Sequence, residues 1–121
     1  MDLTTKHCVP CEGGTPPLPD DQEEEMLKQV QHDKNEDSGW LLLRDGTHKL
    51  RRQFKFKNFK EAIAFVNKTA DIAEKEGHHP DIYIFYNKVQ LDLFTHAVGG
   101  LSENDFIMAA KINGLIATGA T

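Results

Sequence analysis

The stretch Ile82-Tyr83-Ile84-Phe85-Tyr86-Asn87-Lys88-Val89-Gln90-Leu91-Asp92-Leu93-Phe94-Thr95 decides the architecture. Two runs rich in β-branched and aromatic residues flank Asn87-Lys88, a tight-turn dipeptide, so the stretch reads as a hairpin of Ile82–Tyr86 and Val89–Thr95. In the second run Val89, Leu91, Leu93 and Thr95 share one face, and Gln90, Asp92, Phe94 and His96 share the other. A strand apolar on one side belongs to an antiparallel sheet with one face covered. Upstream, Asn58 to Glu76 is a helix. Asn58 with Glu61 three residues on makes a capping-box start, and Gly77 stops it as a left-handed cap. Phe59, Ala62, Ile63, Val66, Ala70 and Ala73 recur at helical spacing as its expected core stripe. Phe65 and Ile72 fall off that stripe and are expected to cover a second surface, such as a neighbouring subunit.

Further out, Trp40-Leu41-Leu42-Leu43, the turn dipeptide Asp45-Gly46, and Leu50 to Lys57 make a second hairpin. Phe54 and Phe56 lie on one side of its second strand, with Gln53, Lys55 and Lys57 on the other. A first helix starts at Asp20 or Asp21, carries Met26, Leu27 and Val30, and ends over Asn35–Gly39. After Gly99-Gly100, Ser102 caps the last helix with Asp105 in the box position, and Phe106, Ile107, Ala109, Ala110 and Ile112 supply its apolar surface. The order α-β-β-α-β-β-α specifies an α+β fold: a four-stranded antiparallel sheet with three helices packed on one face. Residues 1–19, broken by Pro10, Gly13-Gly14, Pro16, Pro17 and Pro19, read as an N-terminal arm, and 20–121 as one domain.

The 121 residues carry 14 basic and 19 acidic side chains, a net charge of −5. The pI near 5.6 argues against a dedicated nucleic-acid binder. No apolar run exceeds five residues, too short to span a membrane. Met1 to Lys6 lacks the apolar core of a secretory signal, and two cysteines make no disulfide framework, so the expectation is a cytoplasmic protein.

Three of the six histidines stand at element ends. His78 and His79 follow the helix-ending Gly77, and Pro80 biases His79 toward an extended conformation. His96 ends a strand. Imidazoles titrate near neutrality and can give or take a proton, which suits acid–base catalysis. A metal is not expected: neighbours in an extended segment point apart, and no ligand spacing such as HExxH appears. Cys8-Val9-Pro10-Cys11 reads as two free thiols in the arm, being half a zinc site at best. The basic stretch Lys49, Arg51, Arg52, Lys55, Lys57 and Lys60 reads as the wet side of a strand, and Glu23-Glu24-Glu25 as a helix start favoured by the dipole. His7, His32 and His48 read as surface residues.

The run Glu74-Lys75-Glu76-Gly77-His78-His79-Pro80-Asp81, with Tyr86-Asn87-Lys88-Val89, Leu93-Phe94-Thr95-His96 and Gly99 to Asp105, resembles the pterin-4a-carbinolamine dehydratases. Gly39-Trp40, Phe54 to Phe59 and the Cys8 to Gly14 arm, of bacterial type, extend the likeness over nearly the whole chain. The resemblance implies removal of water from 4a-hydroxytetrahydropterin to give quinonoid dihydropterin, which restores the cofactor of aromatic amino-acid hydroxylation. It implies His78, His79 and His96 as the catalytic set, with Trp40, Glu74, Pro80, Thr95 and Asp105 at the substrate. Asp105 would both cap its helix and orient His96. Phe94 sits where some relatives carry a small polar residue, and Gly77 replaces an acid found in some members. The resemblance implies no metal and no cofactor, a homodimer or homotetramer, and a functional link to an aromatic amino-acid hydroxylase. Trp40 with the open-face aromatics Tyr83 and Phe85 could wall a pterin ring. The alternative is a non-catalytic binding protein of the same fold, since animal members also partner a homeodomain transcription factor.

Overall fold

The computed structural model describes residues 3–8, 16–30 and 39–117. Cys11, Gly13-Gly14, Pro10, His32 and the helix-ending stretch from Asn35 lie outside them. Among the described residues four strands form one antiparallel sheet, β1 (Leu41–Leu43), β2 (Lys49–Lys55), β3 (Asp81–Phe85) and β4 (Lys88–Leu93), in the order β1-β2-β4-β3. Register pairs Leu50 with Leu93, Arg52 with Leu91 and Phe54 with Val89, and all six side chains are buried beneath the helices. Burying each of the aliphatic ones contributes roughly 1.5–3 kcal/mol. The turn between β3 and β4 falls on Tyr86-Asn87, one residue earlier than expected, with Tyr86 held at φ 55°.

Three helices cover one face: α1 (Asp20–Val30), α2 (Phe59–Glu76) and α3 (Glu103–Ala117), with α3 packed between the other two. Phe106, Ile107, Met108 and Ile112 of α3 are fully buried, as its central position demands. Asn113 joins the layers. Its Oδ1 accepts from Trp40 Nε1–H at 2.9 Å and Arg52 Nη1 at 2.6 Å, and its Nδ2 donates to the Val30 carbonyl at 2.7 Å. No helix among the described residues is long and apolar enough to cross a membrane.

Several expectations change. The buried row of α2 is Ala62, Phe65, Thr69, Ala73 and Glu76, so its phase is rotated from the expected stripe. Phe65 therefore lies in the chain's own core, with ring centroids 4.7 Å from Phe54 and 5.0 Å from Phe56, and faces no second subunit. Phe59 and Ala70 are exposed instead. Arg52 belongs to the helix side of β2, stacked 4.7 Å over the Phe54 ring, not to its wet side. Glu23 stands in the first turn of α1 as expected, yet it is fully buried and takes Arg44 at 3.2 Å and His48 at 2.8 Å, so His48 is a half-buried partner of this acid rather than a surface residue. Asp20, Glu23 and His48 bring three potential ligand atoms within 4.8 Å, yet the Arg44 guanidinium occupies the same carboxylate as an ion pair. The described part of the arm is docked: Leu3 is in the core, and Leu18 N–H donates to the Leu101 carbonyl at 2.9 Å.

Candidate active site

Two left-handed glycines bring three element ends together. Gly77 (φ 66°) closes α2, its N–H and that of His78 both reaching the Ala73 carbonyl, at 2.9 and 3.2 Å. The chain then leaves along His78-His79-Pro80 into β3. Past β4, Thr95 bridges Gly100, and His96–Val98 forms a 3-10 turn closed by Gly99 (φ 70°). The first turn of α3 supplies Asp105.

Asp105 is fully buried and ties the three ends. Its Oδ1 lies 2.7 Å from His78 Nε2, and its Oδ2 accepts the Thr95 hydroxyl at 2.8 Å and the Ser102 N–H at 2.9 Å. With its hydrogen on the carboxylate, the Thr95 oxygen accepts from Ser102 Oγ at 2.8 Å. Asp105 thus caps α3 and orients a histidine as expected, but the histidine is His78, not His96. His79 Nε2 sits 2.5 Å from Glu74 Oε2 on the exposed side. The His96 ring meets Phe94 edge-on at 4.4 Å and has no hydrogen-bond partner among the described residues.

His78, His79, His96 and Thr95 line one cleft of about 430 Å³, within the range of small-molecule sites. Glu74 and Asp105 stand one bond behind, on His79 and His78. Pro80 sets the path after His79 and does not line the cleft. Trp40 does not reach it either: it is buried in the core, edge-on to Phe54 at 6.2 Å. Tyr83 and Phe85 project from β3 on the helix-free face and are likewise not in the lining.

Phe94, Cys8, Asn104 and Glu76 also line the cleft; of these the sequence reading weighs Phe94 at the site and Cys8 only as a free thiol of the arm, and gives Asn104 and Glu76 no role there. Glu76 is buried at the end of α2, accepting the Cys8 N–H at 2.8 Å and facing His7 Nδ1 at 3.0 Å. Burial pushes its carboxyl up, but the Cys8 N–H, His7 and the Lys111 charge outweigh that and hold it below the usual carboxylate range. His7 is therefore partnered rather than idle. In the observed phase of α2 a carboxylate stands on the buried row, and such a group demands a partner; without that phase the signal stays hidden. On the open face, Asp92 takes Arg51 through two bonds, 2.8 and 2.9 Å, and this pairing raises the guanidinium above its ordinary value.

Such an arrangement defines a class: a one-sheet α+β domain whose cleft offers several imidazoles, two of them on carboxylates, a set chemically able to give and take protons. The comparisons with known proteins agree. The sequence model described as pterin 4 alpha carbinolamine dehydratase matches residues 16–115. A protein of Alkaliphilus metalliredigens assigned by name to the pterin-4-alpha-carbinolamine dehydratases is 46% identical over 112 residues, 93% of this chain and 94% of that one. Pterin-4-alpha-carbinolamine dehydratase 2, mitochondrial, of Arabidopsis thaliana is 44% identical over 94% of this chain and 59% of its own length. The solved structure of a transcriptional coactivator/pterin dehydratase from Brucella melitensis superposes with a TM-score of 0.71 at 33% identity, covering 82% of this chain and 97% of that one. The chain belongs to the pterin 4 alpha carbinolamine dehydratase family, a family of hydro-lyases.

Proposed function

We propose that this chain removes water from a 4a-hydroxytetrahydropterin, giving the quinonoid dihydropterin, with His78, His79 and His96 sharing the proton transfers. One observation carries the reading: three imidazoles from two chain segments meet in one cleft, two of them on carboxylates. In the reaction the C4a–O bond breaks, the hydroxyl leaving with its electron pair and a proton from an acid. A base takes the N5 proton, and the N5–H electrons form the N5=C4a double bond. A carboxylate only accepts hydrogen bonds, so Asp105 and Glu74 assign the ring hydrogens of His78 and His79 to Nε2. The Nδ1 lone pairs are then left to take a proton, and the charged rings can return it. The quinonoid product is reducible to the tetrahydropterin, so the reaction would serve to recycle the cofactor of an aromatic amino-acid hydroxylase. The test is the dehydration rate of freshly generated carbinolamine with and without the protein. Acceleration proportional to protein concentration is expected, and the buffer rate alone would refute the reading.

The Brucella melitensis relative, whose name joins coactivator and dehydratase, favours a second reading, a binding protein of the same fold. Turnover separates the two. The uncovered edge of the sheet supports a homo-oligomer. Ile82, Tyr83, Ile84 and Phe85 of β3 are 36%, 42%, 40% and 56% exposed, and among the described residues β3 pairs only with β4. An apolar edge strand of this kind invites pairing with a second copy. Light scattering at micromolar concentration is expected to give a multiple of the chain mass, falling to one chain in Ile84→Lys. A monomeric wild type would overturn it.

A further inference from the structure

Glu76 is expensive where it stands. It is the last residue of α2, where the helix dipole opposes negative charge, and its side chain is 2% exposed. The proton transfers proposed above do not use it. Its two oxygens instead hold the chain's N-terminal segment, one on the Cys8 backbone N–H and the other toward His7, with Lys111 Nζ at 3.7 Å. The same segment is fixed by Leu3 in the core, by Lys6 on Glu103 at 2.6 Å, and by the Cys8 thiol 3.6 Å from the Asn104 carbonyl. Its far end brings Cys8 into the wall of the histidine cleft. A small, polarisable thiol packs well beside a flat heterocycle.

We infer that the segment Leu3–Cys8 is a substrate-binding wall of this cleft, with Cys8 touching the bound pterin-type ring and Glu76 as the positioning residue that holds it there. This rests on the dehydratase reading of the same cleft. A carboxylate that accepts a backbone N–H fixes the height of Cys8 against the cleft more tightly than a neutral acceptor would. Losing it is expected to weaken substrate binding more than the chemistry, because the histidines keep their own partners.

The test uses the full chain with Cys11→Ser, so that Cys8 is its one thiol, alkylated by iodoacetamide and followed by intact mass. A ligand at ten times its Kd leaves about a tenth of sites open, so 7,8-dihydrobiopterin is expected to slow alkylation of Cys8 roughly 10-fold. Glu76→Gln, in the chain with both cysteines, is expected to raise KM for the carbinolamine about 10-fold with kcat within about twofold. Where wild type turns over but dihydrobiopterin leaves alkylation unchanged, the wall is overturned and the dehydratase reading stands. Where the pterin shields Cys8 without turnover, the wall stands and the dehydratase reading falls. A Glu76→Gln variant that loses kcat and Tm at constant KM makes Glu76 a structural residue only and overturns its positioning role. Should the native thiol resist alkylation, Cys8→Phe decides by calorimetry: a loss of dihydrobiopterin affinity of about 10-fold or more supports the wall, and an unchanged Kd overturns it.

Discussion

Replacing Asp105 by Asn keeps the side chain's shape and changes which nitrogen of His78 carries a hydrogen. Asp105 Oδ2 accepts two donors, Thr95 Oγ1 and Ser102 N, while Oδ1 meets His78 alone. An Asn amide oxygen placed at Oδ2 preserves both capping bonds. Its NH2 then faces His78 Nε2 across the 2.7 Å contact, which survives only if Nε2 is the lone pair. The hydrogen moves to Nδ1, and neutral His78 can no longer take a proton there. One bond to a buried charge is exchanged for a neutral one, at a cost of about 1–3 kcal/mol of stability. General acid–base help from one group is worth ~10²–10⁴-fold. With the work shared by His79 and His96, the low end applies: kcat falls about 10²-fold, ~2.7 kcal/mol of barrier. The assay is the initial dehydration rate, with circular dichroism and a urea midpoint for folding and long-range proton–nitrogen spectra for the imidazole tautomer. A folded Asp105→Asn that turns over like wild type refutes this account. So does a double variant with His78→Ala that is slower than His78→Ala by the factor Asp105→Asn shows alone, since Asp105 would then act independently of His78.

Single His78→Ala, His79→Ala and His96→Ala changes are each expected to lower kcat substantially with the fold intact. The pair His79→Ala/His96→Ala should fall close to the uncatalysed rate, and wild-type turnover in all three singles would remove these residues from the catalytic set. Phe65→Ala empties a fully buried site between Phe54 and Phe56 and should cost about 3–5 kcal/mol by urea denaturation without changing the oligomer mass. A changed mass at unchanged stability would put Phe65 back at a subunit surface. Because the Glu76 carboxyl is held below its unfolded value, its stabilisation is complete above the ordinary carboxylate pKa of about 4.3 and is lost as pH falls through the lower folded value. Wild type should therefore lose urea resistance more steeply than Glu76→Gln below about pH 4; parallel profiles would contradict it.

The parts of the fold legible in sequence are those set by local chemistry. Asn58 accepts the Glu61 N–H at 2.9 Å and Gly77 is left-handed, so α2 begins and ends as its caps require. Val89, Leu91 and Leu93 are buried because their alternation leaves no other face. The phase of α2 was not legible, because the buried row includes polar members with private solutions. Thr69 returns its hydroxyl to the Phe65 carbonyl at 3.0 Å, and Glu76 takes the N-terminal segment, while apolar Phe59 stays half exposed. Arg52 misled for the same reason: its guanidinium lies over the ring of Phe54, two residues on and on the same strand face, and bonds to Asn113, 61 residues away in sequence. At the site, the histidines announced themselves by standing beside Gly77, Pro80 and Thr95. Which imidazole Asp105 would meet, and that Trp40 would turn to Asn113 rather than the cleft, depend on packing across the helix layer and leave no local trace.

The strand order β1-β2-β4-β3 also dictates how the molecule comes together in time. Each hairpin, and α2 between them, closes through nearby residues and is available early. The seam between β2 and β4 waits until the whole loop from Lys55 to Lys88, with α2, the histidine pair and β3 inside it, has been gathered in, and that closure carries an entropic cost set by loop length. His78 meets Asp105 only once α3 has docked against the end of α2, because the carboxylate belongs to the first turn of α3. During refolding, dehydratase activity should therefore return with the slowest structural phase, lagging any far-ultraviolet signal from α2.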